Sequence, residues 1–198
     1  MKEIILTLIV FCLSIFTLSA QDKTVFGEAD IEVVGGFGGP ILQFSSIRGN
    51  TTASVGGGGG VVLNNLFIGG FGIGTSAENV MVNTEQYELG LGYGGLWLGY
   101  SFIDDKIVHP YLSLQAAIGG VDVDEIGADD KNLSSETVGV LLPEVGIEIN
   151  ITQWMRFVGT FGYRWISNLD NNLGVNAEDF RSTSFGITFR FGYWGGYE

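Results

Sequence analysis

The sequence predicts an all-β chain, an eight-stranded antiparallel up-and-down transmembrane β-barrel, and three observations predict it. Glycine takes 32 of 198 positions, about twice the ~7% usual in soluble domains. That density opposes helix at ~1 kcal/mol per site. Large and small side chains alternate with a period of two, the strand period. Connections between the alternating segments are by turns short and long. Membrane barrels share this asymmetry, with short turns on one rim and longer loops on the other.

Composition narrows the class further. Charged residues are 16% and aromatics 13%, and the mean hydropathy is +0.30. This is too apolar for a disordered chain. The glycines show no G-X-Y period, which excludes collagen. With 9 Lys+Arg against 22 Asp+Glu the net charge is −13. Such a surface does not neutralise phosphates, so no nucleic-acid partner is expected. The single cysteine, Cys12, excludes a disulfide framework and a Cys-based zinc site.

The first 20 residues read as a secretory signal peptide. Lys2 opens it, an apolar run spans Ile4 to Leu18, and Ser19-Ala20 precede the expected cut. Cys12 leaves with it. Residues 21–28 form a short lead and residues 29–198 the barrel. Nothing after Ala20 approaches the ~18 consecutive apolar residues of a membrane helix.

Eight strands follow, over 29–45, 51–63, 66–77, 85–102, 109–123, 137–150, 154–166 and 182–194. The last is the clearest. One face reads Phe185, Ile187, Phe189, Phe191, Tyr193, and the other Ser184, Gly186, Thr188, Arg190, Gly192. The seventh sets Phe157, Phe161, Tyr163 and Trp165 against Arg156, Thr160 and Arg164. Val33-Val34 and Leu96-Trp97-Leu98 blur the phase of the first and fourth. Asn64-Asn65, Ile103 to Val108 and Ile151 to Gln153 are short connections. Glu78 to Thr84, Asp124 to Glu136 and Ser167 to Arg181 are longer and polar.

In lipid every backbone group needs a partner, so the sheet must close. A barrel of eight strands holds only modest side chains inside. The large residues are therefore expected outside, glycine and polar residues inside. Tyr87, Phe102, Tyr111, Trp154, Trp165, Tyr193 and Trp194 sit near strand ends, where interfacial girdles form.

The leader, the eight alternating strands and the last strand Phe185-Gly-Ile-Thr-Phe-Arg-Phe191 resemble the small outer-membrane barrels of the OmpA, OmpX and OmpW type. His109-Pro110-Tyr111 resembles a strand start common in such barrels. Pro143-Glu144-Val145-Gly146-Ile147-Glu148-Ile149-Asn150, followed by Trp154, is similar too. The resemblance covers about residues 29–194 and marks architecture. It implies a bacterial outer-membrane location, lipid and lipopolysaccharide neighbours, and barrel assembly machinery during biogenesis. The chain ends Gly195-Gly196-Tyr197-Glu198, so an assembly signal is read from Phe189 to Trp194. No periplasmic peptidoglycan-binding domain is expected to follow, so that role of OmpA-type proteins is not carried over.

Chemistry-bearing motifs are few. Gly90-Leu91-Gly92-Tyr93-Gly94-Gly95 fits G-x-G-x-x-G but lies inside an alternating segment with no helix after it. It reads as inward glycine with Leu91 and Tyr93 outward. Gly56–Gly60 lacks the Lys-Ser/Thr of a P-loop. Asp122, Asp124, Glu125 and Gly127 open like a calcium loop, but Leu133 stands where the bidentate glutamate belongs. No cofactor and no metal are expected. His109 and Ser113, four apart in a strand, lie ~13 Å from each other, too far for a nucleophile and its base. His109 reads as a rim residue on the short-turn side.

The inward charges are the candidate site. The alternation puts Glu32, Glu144, Glu148, Arg156, Arg164 and Arg190 in the lumen. Glu148 and Arg156 flank one short turn, and closure of the first strand on the eighth brings Glu32 towards Arg190. A neutral network of Glu32, Glu148, Arg156 and Arg190 is expected to plug the periplasmic end. The expected function is a monomeric, non-enzymatic membrane scaffold displaying acidic extracellular loops to a partner. Three other readings stand beside it: a narrow pore for small hydrophobic or ionic solutes, a lipid-modifying enzyme using His109, and a soluble lipocalin-like binder.

Overall fold

The computed structural model describes residues 33–82, 85–102, 106–125, 134–169 and 176–194. The signal peptide, the lead and Glu32 lie outside the described residues. Eight strands form: β1 (Val33–Ile47), β2 (Asn50–Leu63), β3 (Leu66–Val82), β4 (Glu85–Ser101), β5 (Val108–Glu125), β6 (Ser134–Thr152), β7 (Met155–Ser167) and β8 (Ser182–Trp194). One short helix, α1 (Ala177–Phe180), sits between β7 and β8. Consecutive strands pair antiparallel, and β1 pairs with β8 to close the barrel. No helix among the described residues is long and apolar enough to cross a membrane.

Local chemistry sets the turns. Arg48 (φ 49°) and Gly49 (φ 80°) both take positive φ between the paired Ile47 and Asn50. Positive φ at both central residues matches the right-handed strand twist of a tight hairpin. Asn64 (φ 55°) serves the β2–β3 turn, since asparagine tolerates the left-handed region.

One expected loop is mostly strand. Val82 pairs with Glu85, so only residues 83–84 separate β3 from β4, where a polar loop from Glu78 was expected. The ladder has carried the hairpin well past the apolar alternation. Likewise Asp122, Asp124 and Glu125 pair along β5 with Gly90, Glu88 and Tyr87. The expected acidic loop thereby shrinks to 126–133, outside the described residues together with Gly127 and Leu133.

The two halves of the barrel are built in opposite senses. In β5–β8 the outward face is bulky and apolar, as in Val145 and Ile147, both 54% exposed, Phe161 and Phe185. Its lumen face carries every buried charge among the described residues, together with serine, threonine and smaller aliphatics such as Val140, Leu142 and Val158. In β1–β4 the outward face mixes glycine, including Gly57, Gly70, Gly72 and Gly92, with apolar residues such as Val55, Val61, Ile68 and Leu96. The lumen face there carries Phe37, Ile41, Phe67, Phe71, Ile73, Leu91, Tyr93 and Trp97, all buried. The Gly90–Gly95 segment is therefore the reverse of the sequence expectation: Leu91 and Tyr93 point in, and Gly92 points out. Tyr111, expected in a girdle, is buried at 1% exposure. The physical reason is filling. Serine, threonine and glycine from one half leave lumen volume that aromatic side chains from the other half must occupy, because interiors pack to high density.

Candidate functional site in the lumen

The described polar residues of the lumen form three layers. The first lies at the end of the barrel that holds the β2–β3 and β6–β7 turns. Arg190 of β8 enters it from the strand opposite Arg156 of β7. Its guanidinium carbon lies 4.7 Å from the ring centroids of Phe37 and Phe67, 4.9 Å from Trp97 and 4.6 Å from Tyr111. Four aromatic faces thus surround one cation. Arg190 Nη2 donates to the Tyr111 hydroxyl at 2.5 Å, and Nη1 is 3.6 Å from Glu148 Oε2.

Glu148 collects the rest of this layer. Arg156 Nη1 donates to its Oε1 at 3.2 Å, and Ser101 Oγ donates to Oε2 at 2.6 Å. His109 Nε2 stands 3.5 Å from the same oxygen. Arg156 also lies over the Trp194 ring, 4.4 Å from its centroid. One carboxylate between two guanidinium groups, with hydroxyl support, is the pairing a buried charge requires. The space beside Arg156 and Arg190, lined by Phe37, Phe67, Ser101 and Trp194, measures only ≈ 10 Å³. That is about the volume of one water.

The second layer is Glu144. Its Oε2 accepts from Ser113 Oγ at 2.7 Å and Gln115 Nε2 at 3.3 Å, and its Oε1 from Thr160 Oγ1 at 2.8 Å. These partners are all neutral. The third layer lies at the opposite end. Arg164 donates from Nε to the Phe180 carbonyl at 3.0 Å, from Nη1 to Ser45 Oγ at 2.9 Å and from Nη2 to the Ser46 carbonyl at 3.2 Å. It holds α1 against the barrel mouth, where Phe180 is fully buried. The Asn176 side chain accepts from the Glu178 and Asp179 amides, and Asp179 Oδ2 accepts from the Asn176 amide, a capping box that fixes this single turn.

Of the six charges read from the sequence, the structure brings Glu148, Arg156 and Arg190 together. Glu144 and Arg164 lie in the lumen but in separate layers, without an opposite charge at ion-pair distance among the described residues. Glu32 lies outside them. His109 is not a rim residue: it is buried at 1% exposure, facing Glu148 with Nε2 and the Lys106 carbonyl with Nδ1. Ser113 is engaged with Glu144 instead. The aromatic cage was not anticipated, although strand parity carried a signal. His109, Tyr111, Ser113 and Gln115 share one face of β5, and that face is polar.

No protein-family model matches the sequence, and no curated protein matches it. Solved structures do. Neisserial surface protein A superposes with a TM-score of 0.55 at 15% identity, over 81% of this chain and 96% of that one. Ail, the attachment invasion locus protein of Yersinia pestis, superposes with a TM-score of 0.50 at 14% identity, over 80% and 97%. The chain has the fold of the small eight-stranded outer-membrane barrels. At these identities the likeness is one of fold.

Proposed function

We propose that the protein is an outer-membrane scaffold whose lumen is plugged and which acts through the surface it presents at the loop end. The observation that carries the plug is the Arg190–Glu148–Arg156 layer, with ≈ 10 Å³ of space beside it. An ion in its hydration shell needs far more room. The bilayer location is supported by the outward belt. Leu141, Val145, Ile147, Phe161 and Phe185 would expose apolar surface to water in a soluble barrel, and patches of that kind mark membrane or protein contact. Lipids and lipopolysaccharide are its proposed neighbours, and barrel assembly machinery its proposed partner in biogenesis.

Ail was solved with the heparin analogue sucrose octasulfate. That ligand is not transferred, because a chain of net charge −13 repels a polyanion. A cationic surface partner is the reading the net charge favours; at the loop end Glu178 is exposed, while Asp179 is paired with Arg48. The test is planar-bilayer recording with the refolded protein, alongside gel mobility with and without boiling. A heat-dependent mobility shift and a silent bilayer are expected. Regular single-channel steps from the wild type would replace the plug with the narrow-pore reading.

A further inference from the structure

We propose that the first lumen layer is a receptor for small organic cations of the guanidinium class, with Arg190 as a resident ligand supplied by the chain itself. This rests on the plugged-lumen reading and says what the plug is chemically.

The contacts all fall on the head group. The guanidinium carbon lies 4.6–4.9 Å from four ring centroids. The two Nη atoms meet Tyr111 and Glu148. Nε, the atom that joins the head to its tether, is buried without a hydrogen-bond partner. A free methylguanidinium ion could therefore make each cation–π, hydrogen-bond and ion-pair contact that Arg190 makes here.

The rings of the cage also pack against one another, independently of Arg190. Phe37 and Phe67 meet edge to face at 4.9 Å, and Phe67 and Trp97 at 5.1 Å. Phe67 stacks with Tyr111 at 6.3 Å. Glycine at position 99 makes room for this packing. A Cβ there would lie 2.1 Å from Phe67 Cε1 and 2.8 Å from the Tyr111 hydroxyl. Arg156, itself seated over Trp194, keeps part of the Glu148 charge compensated when Arg190 is removed. Guanidinium suits such a site because it is planar, delocalised and weakly hydrated, and desolvated ring faces bind cations most strongly. Arg164 offers a contrast, since its Nε and both Nη atoms are bonded to oxygens and no cage surrounds it.

The test uses the full barrel and its Arg190→Ala variant, refolded in detergent. Calorimetric titration with millimolar methylguanidinium, far below denaturing levels, is compared with potassium at equal ionic strength. The variant is expected to bind methylguanidinium at least about tenfold more tightly than potassium, and to regain thermal stability when it does. The wild type is expected to bind neither, and Trp97→Ala added to the variant is expected to abolish binding. Absence of binding to Arg190→Ala, or equal binding to the wild type, overturns the proposal. Should the variant not fold in potassium, its refolding yield is read in each salt. A methylguanidinium-dependent yield supports the cage, and equal yields overturn it. Bilayer recording separates the two readings. If the wild type conducts, the plug fails, while the titration still decides the cage. If only the variant conducts, methylguanidinium is expected to block it.

Discussion

Neutralising Glu148 should cost the barrel far more than neutralising Glu144, although both are buried glutamates on one face of β6, four residues apart. Glu148 stands between Arg156 at 3.2 Å and Arg190 at 3.6 Å, with His109 also against it. Glu148→Gln keeps the shape and removes the only carboxylate those guanidinium groups share among the described residues. Breaking a buried pair from one side costs ~3–5 kcal/mol, because the remaining charge is left uncompensated. The four rings around Arg190 offset a part of that, so about 3 kcal/mol is the working figure. Glu144 meets two hydroxyls and an amide. Glutamine in its place keeps an acceptor for most of them, and the expected loss is within about 1 kcal/mol. With a urea slope of ~2 kcal/mol per molar, Glu148→Gln lowers the midpoint by about 1.5 M and Glu144→Gln by less than about 0.5 M. Tryptophan fluorescence and heat-dependent gel mobility on refolded barrels in urea read both. Equal midpoints for the two variants would refute the assignment of the charge balance to the Glu148 layer.

Other perturbations address the remaining features. Gly99→Ala should cost about 1–3 kcal/mol through overpacking of the Phe67 and Tyr111 rings, whereas Gly92→Phe, with nothing within 4 Å of its Cβ, should fold as the wild type does; thermal melts that rank them the other way contradict the inward–outward assignment. Val145→Arg places a charge in the middle of the outward belt and should cost ~2–4 kcal/mol in lipid vesicles, and an unchanged unfolding free energy there argues against a bilayer location. Arg164→Ala removes the charge-assisted bond to the Phe180 carbonyl of α1, worth ~1.5–3 kcal/mol, and the two bonds to Ser45 and Ser46 that anchor Arg164 on β1. Chymotrypsin should then cut at Phe180 in the variant and spare the wild type; equal protection of both would show that Arg164 is not the latch.

What the sequence revealed of the fold follows from where its two faces differ in kind. In β7 and β8 bulky apolar residues alternate with Arg156, Thr160, Arg164, Ser184, Thr188 and Arg190, so polarity and size both mark the phase. The structure places these arginines inside. In β3 and β4 the alternation is between glycine and large apolar residues, as in Gly90-Leu91-Gly92-Tyr93. Glycine carries no polarity to declare its side, and either assignment satisfies the pattern. Deciding it requires the total lumen volume, which depends on all eight strands at once. The pairing of Arg156 with Glu148 was legible because they flank one turn. The cage around Arg190 was not, because Phe37, Phe67, Trp97 and Tyr111 come from β1, β3, β4 and β5, and only the barrel stagger brings them to one level.

The glycine-faced half has a consequence for how the barrel acquires its register. A strand slips easily when shifting it by a residue changes little on either face. In the Gly56–Gly60 run of β2, Gly57, Gly59 and Gly60 face Gly72, Gly70 and Gly69 in β3, and Gly58 and Gly59 face Gly39 and Gly38 in β1, so no cross-strand side-chain pair there distinguishes one alignment from the next. In β7 and β8, by contrast, Phe157 meets Phe189 and Phe161 meets Phe185, and a slip would separate both pairs. The carboxy-terminal strands can align as a hairpin on their own. The amino-terminal strands take their alignment from side chains that meet only when the lumen closes, so ring closure is the step that reads out the first half of the chain.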